Sequence, residues 1–455
     1  MLEGYVGETL CGFESHLQHV KNIDLKAKMK KIIFTICISV NLFANVDDYI
    51  QKINEFINNE SYDLALETFN TALNEYDASS KLYYIGGNIY LKLDDLDLAN
   101  KYLVKAIELD PKNVQFRKKQ EELSNFKLLL TSAKKTFDIG HMEDAIIEYE
   151  KLCNQYSSYA IVFYNLGLIY KANQEYQLAV KNYNIAKTLN PFEIKYDKAV
   201  KVISQIIAQN GDVNFRRQNF ELAIKNYNDA ISYYPKYTKA IFKLARTYYR
   251  QNDFDNALII LKKGLTIDPA QEQNEKMLGD IYRKNDNQEE AVNHYKLAIN
   301  INSNYYQALY SLGSMYLNIG ELEEARNALN NAVKIEPTYS KAYGALGAVE
   351  QEMGNMDRSI DNYIEAVKYD KKAYDIHYRL ASAYNFKKHH EEAKKSAKQS
   401  INIKRNYAPA FFELGLAEKS LGNKVAAKDA FEKAKKDRNW RKSAQFELDM
   451  ISKGL

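Results

Sequence analysis

The chain is poor in the residues that carry most protein chemistry. Its 455 residues include three cysteines, seven histidines and one tryptophan. Cys11 and Cys37 precede a cleavage point argued below, so the processed chain would keep only Cys153 and could form no internal disulfide. That is compatible with a helical core and does not contradict export. There is no G-x-S-x-G, no glycine-rich phosphate loop and no H-E-x-x-H, so no catalytic constellation is legible. The histidines beyond the front segment are His141, His294, His377, His389 and His390. The pair His389-His390 falls in an expected turn, followed by Glu391 and Glu392, and reads as solvated. Adjacent turn residues do not converge on one ion, so no metal and no cofactor is expected.

Charge of one sign is also missing. Lys and Arg total 63 against 59 Asp and Glu, a net of +4, which gives no reason to expect nucleic acid. The cluster Lys394, Lys395 and Lys398 alternates with acids and reads as a solvated helix face. The apolar run Ile32–Phe43 is shorter than the roughly 20 residues that a membrane-spanning helix needs, so no transmembrane span is expected. Proline is scarce, with six in all, yet Pro111, Pro191, Pro235, Pro269 and Pro337 share one phase, twelve residues after a packing alanine. Proline ends one helix and starts the next. Pro409 lies near the start of an expected helix, where it is tolerated.

What is present is a ladder of alanines. Ala223, Ala257, Ala291 and Ala325 lie 34 residues apart, and Ala393 and Ala427 keep the phase with Ser359 between them. Four residues on stands a large residue: Tyr227, Leu261, Tyr295, Leu329, Tyr363 or Phe431, with Ala397 the exception. Seven residues on stands a small one, such as Ala230, Gly264, Ala298 or Ala332. Offsets of four and seven share one face of an α-helix. Upstream, Leu244-Ala245 with Tyr248, Leu278-Gly279 with Tyr282, Leu312-Gly313 with Tyr316 and Leu380-Ala381 with Tyr384 mark a second helix face. Short polar turns such as Gln251-Asn252-Asp253 separate the two helices, with Asn and Asp suited to left-handed backbone.

This pattern, L-G-x-x-Y, then A-x-x-x-[FYL], then Pro, resembles the tetratricopeptide (TPR) repeat over about Val46 to Asn439. Phe163, Ile241, Leu309, Tyr343 and Phe411 stand where the family pattern has Trp. The resemblance implies an all-α, right-handed superhelical solenoid of antiparallel helix pairs. Extending the phase back to Ala65, Ala99, Ala145 and Ala179 gives eleven repeats.

Two spacings are stretched: Ala99 to Ala145 is 46 residues and Ala179 to Ala223 is 44. Neither excess segment is rich in Gly, Pro or Ser, so lengthened first helices are expected in repeats three and five. The extra turns are either a tolerated insertion or a bend that divides the array. The expected organisation is repeats one and two over 45–111, three and four over 112–191, five to eleven over 192–439, and a capping helix over 440–455 with Ala444, Leu448 and Ile451 on one face. A terminal cap is what a solenoid end requires.

The front of the chain reads as an export signal. Met29-Lys30-Lys31, the apolar run and Ala44-Asn45 match a secretory signal peptide over 29–44. The weak points are Asn41 inside the run and Leu42 before the cleavage point, and the other reading is a buried first helix. Residues 1–28 show no pattern and are expected to be an upstream extension, with Met29 as initiator. Heavy use of Lys, Asn, Ile and Tyr points to an AT-rich, bacterial coding sequence.

In the family, the first helix of each repeat lines a concave groove. The position three residues before the packing Gly or Ala reads Tyr84, Tyr164, Phe242, Tyr310, Tyr378 and Phe412, with Ala208, Lys276 and Gly344 in the intervening repeats. Nearby positions add Asn88, Arg246, Tyr249, Arg250 and Arg283. Aromatics beside arginine are the residue types of binding hot spots. The rings either face a partner or pack on the next repeat. TPR proteins that receive chaperone C-terminal carboxylates use Lys, Asn and Arg at groove positions. Here those positions are mostly aromatic, with isolated matches such as Asn88 and Asn165, so that activity is not carried over. The expectation is a non-enzymatic scaffold of a bacterial envelope that binds a protein or peptide, with carbohydrate as the alternative ligand.

Overall fold

The computed structural model describes residues 45–59 and 61–453; the expected signal peptide and upstream extension lie outside them. The described residues form 23 α-helices and no strand. Among the described residues helices pair as Thr238–Arg250 with Phe254–Ile267, or Glu272–Lys284 with Gln288–Ile301, from Val46–Asn58 to Lys424–Ala434. The chain is an all-α TPR solenoid.

The period has a steric cause. The ladder alanines from Ala65 to Ala427, and Ser359, are all fully buried. They sit where the two helices of a repeat cross. A Cβ built at Gly279 would lie 2.6 Å from the Tyr295 ring and 3.1 Å from the Ala291 carbonyl oxygen. Ser359 keeps the phase because its hydroxyl donates to the Gly347 carbonyl at 2.7 Å. Size is exchanged across each crossing. The aromatic knobs Tyr183, Tyr227, Tyr295, Tyr363 and Phe431 each press on a glycine. Ala381 can replace glycine in repeat ten because Ala397 stands in place of the knob. The same exchange empties one position of the aromatic series: a Cβ at Gly344 would lie 2.7 Å from Ile376 Cδ1.

In repeats two to eleven the turn between paired helices reverses the chain through one left-handed residue. Asp94, Gln174, Gln218, Asn252, Asp286 and Lys388 have φ between 57° and 65°, and Gly140, Gly320, Gly354 and Gly422 fill the same place elsewhere. The next N–H then donates back across the turn, as Asp253 does to the Tyr248 carbonyl at 3.0 Å. This satisfies a carbonyl that the helix end would leave bare.

In repeats nine and eleven the tyrosine beside this turn is replaced by a buried glutamate. Glu350 accepts from Asn355 Nδ2 at 2.9 Å, and Glu418 accepts from Asn423 Nδ2 at 2.6 Å. Each also faces a cation from the preceding repeat, Arg326 at 3.9 Å and Lys394 at 3.2 Å. A buried charge needs such a partner, and here the partner ties one repeat to the next.

Two helices are long: Val114–Asp138 has 25 residues and Ile194–Arg216 has 23. They occupy the two stretched intervals. Contacts divide the chain into two compact units, with the boundary between Ile207 and Ala208.

In the first unit, non-adjacent repeats touch. Asp94, in the turn of repeat two, accepts from the Tyr196 hydroxyl at 2.6 Å, from Asn190 Nδ2 at 2.8 Å and from the Ile161 N–H at 3.2 Å. The last bond caps the helix Ala160–Ala172, whose own N-cap residue, Tyr159, supplies none. The Tyr62 and Phe192 rings meet edge-on at 5.3 Å.

The second unit holds regularly spaced repeats, ending in the helix Arg441–Ser452 with Ala444, Leu448 and Ile451 buried against Phe431 and its neighbours.

Candidate partner-binding face

Residues Phe242, Arg246, Tyr249 and Arg250 recur at offsets of four, seven and eight, so they line one face of the helix Thr238–Arg250. The same offsets place Asp280 and Arg283 on Glu272–Lys284, and Tyr310 on Tyr306–Ile319. This face borders the Ala245 side that stacks on the paired helix.

The six ring positions have a common state: all are half-buried. Each ring leans on a neighbouring element while keeping part of its surface open. Tyr84 stacks on Phe116 at 4.7 Å, and Asn88 one turn on is half-buried too. Tyr164 lies between Tyr183 and Tyr196, with the Lys195 ammonium 5.7 Å from its centroid. A cavity of about 220 Å³ opens beside it, lined also by Leu168, Lys171 and Lys198. Tyr310 meets Tyr339 edge-on at 5.3 Å. Tyr378 contacts Tyr407 and Trp440, and Phe412 contacts Phe431 and Trp440. Phe242, like Tyr249, packs at the margin of the Ala245–Leu261 core. Each of these rings thus packs on the fold along one edge and keeps part of its surface exposed. Burial pushes the Tyr164 and Tyr378 hydroxyls above their ordinary range, with Glu193 and Glu413 adding to it.

Charge on this face is organised repeat by repeat. In repeats five and seven, Asp212 and Asp280 occupy the place that Arg246 takes in repeat six. Each aspartate is neutralised within the fold. Asp212 accepts from the Tyr227 hydroxyl at 2.7 Å and pairs with Lys243 at 2.6 Å. Asp280 accepts from the Tyr295 hydroxyl at 2.9 Å and pairs with Lys276 at 2.6 Å. Repeat six has Leu261 where those repeats have tyrosine, so its second helix offers no hydroxyl at that place. Arg246 is half-buried, its guanidinium lies 4.6 Å from the Phe215 centroid, and its buried Nε makes no hydrogen bond. Arg250 and Arg283 are exposed.

The residues that sequence reasoning missed are Asp212, Phe215, Lys243 and Asp280. Their signal was available. Asp212 and Asp280 fall at the offset of Arg246, Phe215 falls at that of Tyr249, and Lys243 directly follows Phe242. Glu413 was missed as well. It is 6% exposed and accepts from Asn385 Nδ2 at 2.8 Å. Burial pushes its carboxyl above the usual range, while hydrogen bonds from Asn385 and Ser382 oppose that shift. Among the described residues no helix is long and apolar enough to cross a membrane, and no three acidic, histidine or cysteine side chains converge on a metal position.

Comparisons with known proteins agree on the repeat. One family model described as tetratricopeptide repeat matches residues 80–113, 160–193, 306–339 and 374–407, and another so described matches 214–278. A model described as TPR repeat matches 279–320. A comparison with curated proteins finds no match. Among solved structures, the chain is similar to the MamA protein at 25% identity, over 37% of this chain and 92% of that one, with a TM-score of 0.33. It is similar to a thermophilic TPR protein of Thermus thermophilus at 24% identity, over 40% and 98% of the two chains, with a TM-score of 0.34. A tetratricopeptide repeat protein of Parabacteroides merdae is similar at 16% identity, over 54% and 97%, with a TM-score of 0.40. The matched segments fall on the helix pairs described above, in the phase that the buried alanines set, and the chain belongs to the tetratricopeptide repeat family.

Proposed function

We propose that this chain is a non-catalytic interaction scaffold that holds a partner protein or peptide along its first-helix face. The observation that carries the reading is the recurrence of half-buried aromatics at one phase of that face, with arginines between them. Rings fixed along one edge lose little freedom on binding, and they supply apolar area beside directed donors. Membership of the family supports a protein or peptide as the ligand class. The same rings suit sugar faces, so carbohydrate is the competing ligand. An array of peptides and oligosaccharides probed with the purified chain separates the two. Retention by peptides is expected, and retention by oligosaccharides alone would overturn the reading.

The site of action proposed is the bacterial envelope, reached through the signal at 29–44. Mass spectrometry of the chain from its native host is expected to find an N-terminus near Asn45. An intact Met1 in the cytosolic fraction would refute export.

A further inference from the structure

We propose that the partner segment seated over repeats five to seven is acidic, its carboxylates held by Arg246, Arg250 and Arg283. This deepens the scaffold reading and rests on it. Over these three repeats the face carries Arg216, Lys243, Arg246, Arg250, Lys276, Arg283 and Lys284 against Asp212, Glu272 and Asp280. Both aspartates are already matched by Lys243 and Lys276 and by tyrosine hydroxyls. The other five cations form no ion pair among the described residues, and four of them are exposed. A strip of seven cations against three acids, two of them neutralised within the fold, is complementary to a negative partner.

A rival account is that cations in the last turn simply complement the helix dipole. It fits Arg250, Arg283 and Lys284 in their last turns and Arg216 at its helix end. It does not fit Arg246, which lies a full turn earlier. Nor does it explain the contrast along the unit. The same helix-end place holds Asn318, Glu352, Phe386 and Ser420 in repeats eight to eleven. There the cations Lys419 and Arg379 stand with Glu352 and Glu413, and Lys419 is paired with Glu447 at 3.0 Å. Within the second unit the positive strip is thus confined to repeats five to seven.

Arg246 gives the strip its sharpest point. Its guanidinium carbon lies over the Phe215 ring at 4.6 Å, and Leu261 in place of a tyrosine leaves it without the aspartate–tyrosine network of its neighbours. A planar guanidinium held this way is suited to bidentate contact with a carboxylate.

The test uses the full chain and two dye-labelled peptides, one alternating glutamate with tyrosine and one with every glutamate replaced by glutamine. Fluorescence anisotropy is expected to show the acidic peptide binding about tenfold or more tighter, with the difference shrinking as salt is raised. Arg246→Gln with Arg250→Gln should remove that difference while leaving the glutamine peptide unchanged. Equal binding of both peptides, lost together in Phe242→Ala, would overturn the acidic assignment and leave the aromatic face standing. Binding of neither peptide would overturn both. Circular dichroism of the double variant should match the parent, because Arg250 is exposed and Arg246 forms no ion pair.

Discussion

Replacing Asp94 by alanine is expected to destabilise the first compact unit by about 3–5 kcal/mol. The carboxylate accepts from three donors drawn from two other repeats: the Tyr196 hydroxyl, the Asn190 amide and the Ile161 N–H. Tyr196 is fully buried and Asn190 is 2% exposed, so neither can turn to water when the acceptor is gone. Each buried group left unsatisfied costs roughly 1–3 kcal/mol. Residue 94 also has φ of 60°, a conformation that aspartate tolerates better than alanine. Asp94→Asn should fall between, since it keeps one acceptor oxygen and the backbone preference. Because repeat arrays lose cooperativity readily, the measurement is hydrogen exchange of the helix Ala160–Ala172 in the two variants. Faster exchange there, at unchanged exchange in repeats eight to eleven, is the expected outcome. A loss below about 1 kcal/mol would show that Asp94 does not hold repeat two to repeats four and five.

The second large effect concerns a pair of residues that depart from the repeat together. Asn274 is fully buried and neither of its amide atoms makes a hydrogen bond. Its equivalents in the neighbouring repeats are Ala240 and Ala308. The amide is accommodated by Gly264, where the ladder has Ala230 and Ala298, and a Cβ at Gly264 would lie 2.6 Å from Asn274 Nδ2. Gly264→Ala alone is therefore expected to destabilise by about 1–3 kcal/mol through overpacking. Asn274→Ala alone removes the orphaned amide and leaves a void against Gly264, so its effects oppose each other. The double variant restores the alanine pair of the adjacent repeats. It removes the unsatisfied groups and adds about 1 kcal/mol of helix propensity, so it should exceed the parent by about 2–3 kcal/mol. Denaturant melts of the four chains complete the cycle. A double variant no more stable than the parent would mean that the Asn274 amide finds a partner in solution.

These two cases mark the limit of what the residues disclose in advance. The ladder was legible because close crossing of two helices forbids a large side chain at Ala291 and its equivalents, and a steric ban repeats with the structure. The knob and glycine exchange was half legible: Ala397 was an exception until Ala381 was seen opposite it. The aspartate at 94 was not legible, because a turn aspartate looks the same whether it faces water or a distant helix. Asn274 was not legible either, because its burial follows from the missing Cβ ten residues earlier. On the candidate face, the phase alone placed Phe242 and Tyr310, whereas the neutralisation of Asp212 and Asp280 depends on Lys243 and Lys276 and on hydroxyls from the paired helix. Sequence spacing places a residue on a face; the opposite helix decides whether its charge is free.

Whether the partner sits on the first-helix face is decided most directly by binding to variants of that face. With a peptide retained by the parent chain, isothermal titration of Phe242→Ala and Tyr310→Ala should each show affinity reduced about tenfold or more, the loss of a buried aromatic contact. Ile259→Ala, on the second helix and 63% exposed, should bind as the parent does. Unchanged affinity in both aromatic variants, or loss in the Ile259 variant alone, would contradict the account.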